Sequence, residues 1–129
     1  MSLDVTKYQD TLPLLYEGEK RLIAVTFENR LEEGVTLDDA TVQAGVESLG
    51  NDNFTVGDVQ TNSSTMTIAG VETGPGRAIL FTLTLTSIDT GEGNTRKVAV
   101  KGNDTGSPVQ THIAEFTIEV AKPSVSQWT

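Results

Sequence analysis

Cysteine is absent from the 129 residues. That excludes structural disulfides, thiolate metal sites and cysteine nucleophiles, and it allows folding in a reducing compartment. Histidine occurs once, at His112. Metal centres and proton relays both need convergent partners, so His112 is read as a loop or strand-start residue. Aromatic residues make up only 5% of the chain, few for the exposed platforms that sugar sites use. No apolar run approaches the ~20 residues that span a bilayer. The start, Met1 to Tyr8, has no basic segment leading into an apolar stretch, so no secretory signal is expected. A soluble chain made in a cytoplasm, with no membrane partner, is the expectation. Nine basic residues stand against 18 acidic ones, a net charge of −9. A nucleic-acid partner is therefore not expected, since displacing counterions from phosphates requires clustered Lys and Arg. No Gly-x-Ser-x-Gly, His-Glu-x-x-His or Walker-type loop occurs. Gly74-Pro75-Gly76-Arg77 has neither a lysine nor a helix behind it and reads as a turn. These absences favour a binding or structural module over an enzyme, with no catalytic residue and no cofactor.

What is present is alternation with a period of two. In Ala78 to Ile88, the residues Ile79, Phe81, Leu83 and Leu85 share one parity and Thr82, Thr84 and Thr86 the other. The first set therefore lies on one face of a strand and the threonines on the opposite face. Ile23, Val25 and Phe27 repeat the pattern within Arg21 to Glu28, and Ala114, Phe116, Ile118 and Val120 repeat it near the end. Ala40, Val42, Ala44 and Val46 predict a strand with small inward residues. Leu12 to Tyr16 is a short apolar segment, and Pro13 confines it to an edge or a strand start. Phe54 to Gln60 reads as a strand broken at Gly57, and Thr65 to Ala69 as another with Met66 and Ile68 inward. Arg96 to Lys101 has Val98 and Val100 on one face.

Turn signals separate these runs. Leu31 to Leu37 is a connection that its two leucines anchor to the body. Gly70 to Gly76 reads as one long turn, Asp89 to Asn94 as a hairpin-type loop and Gly102 to Pro108 as a further loop. Short strands at this spacing indicate a two-sheet antiparallel sandwich.

Charge is unevenly spread. Seven acids fall between Glu28 and Asp52 against Arg30 alone, while Arg77, Arg96, Lys97 and Lys101 cluster later. A solvated acidic surface explains this; packing of acidic side against basic side between copies or partners is the sharper alternative. Three tips are rich in oxygen: Asn51-Asp52-Asn53, then Asp89, Glu92 and Asn94, then Asn103-Asp104. Calcium takes six to eight oxygens, but none of the tips has the spacing of a calcium loop, and Asn and Asp favour turns for backbone reasons. Asp38 and Asp39, beside a strand start, are expected to stay ionised in solvent.

The only tryptophan, Trp128, lies beyond Pro123 and outside the periodic strands. It either folds back onto an apolar patch or projects into a neighbour, where Trp is a favoured anchor. Residues 1–9 form a polar arm and residues 122–129 a tail, both expected to order on partners. Trp128, Val125, Pro123 and Tyr8 are the candidate partner-binding residues.

Tyr16-Glu17-Gly18-Glu19, the following strand, and Leu31-Glu32-Glu33-Gly34-Val35-Thr36-Leu37-Asp38-Asp39-Ala40-Thr41-Val42 together resemble small Ig-like virion proteins of tailed bacteriophages. The later pieces resemble Gly70–Gly76, Ile79–Thr86, Ser87–Gly91 and Glu115–Val120, so the likeness covers about residues 12–121. Gly93 to Val109 is longer than the corresponding hairpin of that family, and the tail with Trp128 lies outside its pattern. The resemblance implies an all-β, Ig-like antiparallel β-sandwich of about seven to eight strands over residues 10–121, with flexible arms at both ends. It implies a non-enzymatic virion structural protein, an adaptor joining tail or neck to fibres, assembled with other virion proteins and with copies of itself. A capsid cement or decoration protein is one alternative, and a carbohydrate- or calcium-binding sandwich module another.

Overall fold

The computed structural model describes residues 14–125, 127 and 128. The proposed arm at 1–9, with Tyr8, lies outside the described residues.

Among the described residues the chain forms nine strands: β1 (Leu14–Tyr16), β2 (Lys20–Thr26), β3 (Gln43–Val46), β4 (Asn53–Thr61), β5 (Met66–Ile68), β6 (Val71–Thr73), β7 (Ala78–Ser87), β8 (Thr95–Asn103) and β9 (Thr111–Ala121). One sheet runs β1-β9-β8-β3, the second β2-β7-β4, and β5-β6 is a separate hairpin. Setting that hairpin aside, the sheets carry the B-E-D and C-F-G orders of an immunoglobulin-like sandwich. The first strand lies against the last. Leu14 pairs Glu119 and Tyr16 pairs Ala121 in parallel, so the sandwich is antiparallel everywhere except at this edge.

The expected alternation places the core. Ile79, Phe81, Leu83 and Leu85 of β7 are wholly buried, as are Val25 of β2 and Phe27 just beyond it. Val98, Val100, Ala114, Phe116, Ile118, Val120 and Leu15 supply the facing layer. Each such large side chain contributes about 2 kcal/mol by leaving water. Leu31 and Leu37 are buried as expected of loop anchors.

Four expectations are corrected. The strand expected from Ala40 begins only at Gln43, because Asp39–Thr41 is a 3-10 turn and Ala40 is exposed. Asp38 Oδ1 accepts from the Ala40 N–H at 3.1 Å, and Thr41 Oγ1 donates to the Asp38 carbonyl at 2.8 Å. Such local side-chain bonds compete with a ladder. The stretch from Gly70 to Gly76 is not one turn, since it contains β6, and this lifts the count above eight. Ala69 (φ 51) and Gly70 (φ 80) make a tight two-residue link to β5. Asp89 to Asn94 is no hairpin, because β7 and β8 belong to different sheets. The loop expected from Gly102 starts after Asn103. The break at Gly57 is present as a register shift between Gly57 and Gln60, with Asp58 at φ 53.

Candidate functional site

The chain leaves β9 at Ala121 and turns over the β1–β2 connection. Glu17 N–H donates to the Ala121 carbonyl at 2.8 Å, and Gly18 N–H to that of Leu85 at 2.7 Å. Gly18 sits at φ 96, a conformation that a side chain disfavours. Tyr16 N–H donates to Glu19 Oε1 at 2.6 Å, and Ile88 N–H to Glu17 Oε2 at 3.0 Å. Both acids of the turn are therefore tied to backbone, which makes the turn a fixed floor. Pro123, Ser124, Val125 and Trp128 complete a groove of about 510 Å³ above it, with Tyr16 alongside.

Three of the four candidate residues, Pro123, Val125 and Trp128, thus come together. Trp128 lines the groove yet keeps 75% of its surface exposed, and Val125 keeps 53%. Tyr16 is the residue that the sequence reading missed. Its signal is parity: Leu15 points inward, so the adjacent aromatic must point out. Glu19 titrates below the ordinary carboxylate range, chiefly because the Tyr16 N–H binds its charged form and secondarily because Arg21 does. The groove therefore offers apolar walls and an ionised carboxylate on its floor.

Two arginines organise the ends of the sandwich. Arg96 shares its parity with Val98 and Val100, and its side chain is fully buried with that of Asp52. Nε donates to Asp52 Oδ2 at 2.6 Å and Nη2 to Oδ1 at 3.2 Å. The remaining N–H groups reach the carbonyls of Asp89 at 3.0 Å, Gly93 at 3.0 Å and Thr95 at 2.7 Å. Two of the oxygen-rich tips do converge, and the cation between them is a guanidinium. Asp52 is lowered to about 2, first by the Arg96 hydrogen bond and then by the N–H groups of Asp89 and Leu49, against the opposing effect of burial.

Arg77 works in the same manner at the other end. Its Nε meets Glu28 Oε2 at 2.9 Å, and Nη2 donates to the carbonyls of Glu28 at 2.9 Å and Leu31 at 2.8 Å. Nη1 donates to Glu32 O at 3.0 Å and also to Val35 O. The acidic and basic stretches of the sequence thus meet within the molecule, through Glu28–Arg77 and Asp52–Arg96. Asn62, buried nearby, donates to the carbonyls of Ser64 and Gly74 and accepts from the N–H groups of Arg77 and Ala78.

His112 lies near the start of β9 with Nε2 3.0 Å from Asp104 Oδ2. Phe27 packs against its ring edge-to-face at 6.4 Å, and Arg30 lies over Phe27 at 5.2 Å. Asp104 Oδ1 accepts from the N–H groups of Gly106 and Gln110, both at 3.0 Å. The Gln110 bond, followed by His112, lowers the Asp104 pKa. The third oxygen-rich tip is thus a loop clasp. Asp38 caps its turn, and Asp39 Oδ1 accepts from both the N–H and the hydroxyl of Thr61.

Among the described residues, no helix is long and apolar enough to cross a membrane, and no group of three or more His, Cys, Asp or Glu side chains stands arranged around a metal position. No family model, curated protein or solved structure matches the chain.

Proposed function

We propose that this chain is a non-enzymatic virion structural protein of a tailed bacteriophage, an adaptor at the tail, neck or fibre attachment. The observation that carries an interaction role is the collection of exposed apolar side chains at one end of a rigid body. Tyr16, Val125 and Trp128 surround one groove there. Large apolar groups gathered on a surface mark contact sites, and aromatic anchors dominate the energetics of such contacts. The choice of a phage particle rests on the resemblance of residues 12–121 to Ig-like virion proteins. The groove suits a partner segment that brings an apolar side chain to Trp128. In a particle, many such contacts act together, so each one can be weak.

Deletion of residues 122–129 tests this reading. The truncated chain keeps its circular dichroism spectrum and its thermal midpoint, yet is lost from purified particles. Incorporation at the normal level overturns the adaptor reading. Gold labelling confined to the head surface would replace it with capsid decoration.

A further inference from the structure

Among the described residues, the two sheets end in four strand edges, on β1, β3, β2 and β4. A free edge is a template for another strand unless something blunts it. β4 is blunted by its register shift and by Asp58 in the left-handed region. β2 starts at Lys20, and at its far end the Thr26 hydroxyl bonds that of Thr73 on β6 at 2.6 Å. The described part of β1 is three residues long, and it lies against the tail end of β9 beside the groove. β3 has no proline, no charged residue and no irregularity in its pairing with β8.

Register shows which groups β3 leaves free. Glu47 N–H donates to the Lys97 carbonyl at 2.8 Å. Peptide groups alternate in direction along an antiparallel pair, so those of Gln43, Gly45 and Glu47 face β8 and those of Ala44 and Val46 face outward. Gly45 itself is unexplained by its own chain. It has no positive φ, and a Cβ built there meets nothing within 4 Å. A glycine inside a strand weakens it, and it often marks close approach by another backbone.

We propose that β3 is the contact between two copies of this chain, joined antiparallel about a two-fold axis at Gly45 into one continuous eight-stranded sheet. Ala44 then pairs with Val46 of the second copy, and Val46 with its Ala44, through the free N–H and C=O groups. Gly45 faces Gly45 as the non-hydrogen-bonded pair, where Cα atoms come within about 4.5 Å and side chains crowd most. On the inner side, half-buried Ala44 lies beside half-buried Val46, small against large. On the outer side, Gln43 faces Glu47 of the second copy, with Lys101 one strand behind Gln43. The ends of the edge are thus complementary to each other under the two-fold. The contact is independent of the virion assignment.

A short edge places the dimer in the weak class of interfaces. Sedimentation of the full chain from about 10 µM to 1 mM should show the average mass rising from 13.8 kDa toward twice that value. Ala44→Pro separates the proposal from a merely structural role. The Ala44 N–H faces away from β8, so proline there leaves the β3–β8 ladder in place, yet it removes a donor from each side of the two-fold contact and weakens dimerisation by about tenfold or more. Glu47→Lys also weakens the dimer, and adding Lys101→Glu restores it. A chain that stays monomeric to 1 mM overturns the proposal, as does an Ala44→Pro variant that dimerises normally. The charge reversal and its rescue decide the case if Ala44→Pro fails to fold.

Discussion

Replacing Arg96 by methionine keeps a long apolar stem and deletes the guanidinium. The Asp52 carboxylate then retains only the N–H groups of Leu49 at 2.9 Å and Asp89 at 2.8 Å. The carbonyls of Gly93 and Thr95 lose the partner they share. Removing one member of a fully buried pair costs about 3–5 kcal/mol, because the other charge stays buried without compensation. Domains have total stabilities of about 5–15 kcal/mol, so Arg96→Met should shift the urea midpoint far down. Asp52→Asn keeps the shape and should cost about 2–4 kcal/mol. The double variant should lose less than the sum by about 2 kcal/mol or more. Acid acts on the same pair. The Asp52 pKa falls from 3.8 in the unfolded chain to about 2 in the folded one. A depressed carboxylate contributes its stability above the unfolded value and loses it as pH falls through the folded value. That contribution, on the order of 2 kcal/mol, should therefore be intact at neutral pH, decline below about pH 4 and be gone beneath about pH 2. In Asp52→Asn this part of the acid dependence should vanish. Urea titrations followed by far-ultraviolet circular dichroism at several pH values measure all of these. Single variants that each cost under about 1 kcal/mol and combine additively would refute the picture of a sealed, mutually dependent pair.

Gly50→Ala should cost about 2–3 kcal/mol in the same assay. Gly50 has φ +55, and a Cβ there falls 2.1 Å from Asp89 Oδ2, which accepts from the Asn51 N–H; a neutral result would contradict this. Arg77→Lys keeps the charge but cannot reach Glu28, Leu31, Glu32 and Val35 together. A loss of about 1.5–3 kcal/mol is expected, with faster amide exchange over residues 28–36. Asp104→Ala leaves the Gly106 and Gln110 N–H groups without their acceptor, so hydrogen exchange at those two amides should accelerate while the β7 core stays protected. Because the Asp104 pKa is lowered in the fold, this clasp contributes above the unfolded carboxylate pKa. Wild-type loop protection should be full above the ordinary carboxylate pKa, weaken as pH falls through it, and be lost once pH is below the lowered value of the folded state.

The longest strands were legible because each carries its own evidence. Ten residues of β7 and eleven of β9 hold enough alternation to specify both strand and inward face. β6 has three residues, too few to show a period, and only its pairing with β5 across Ala69-Gly70 defines it. Ala40 fits the inward parity of β3, yet capping by Asp38 holds it in a turn. At the groove, Trp128, Val125 and Pro123 stood out by composition. Tyr16 did not, because its partnership with the tail depends on β1 lying against β9.

Amino-acid order alone determined which side chains face inward, because a pleated strand alternates whatever its neighbours are. Parity also turns Arg96 inward, two residues before Val98, a placement that the sequence reading missed. Only the folded arrangement decided that an arginine could be kept there, since its counter-charge, Asp52, lies 44 residues away. The same holds for Arg77 with Glu28 and for the parallel first strand. Such contacts join distant segments, and local periodicity carries no information about which distant segment arrives.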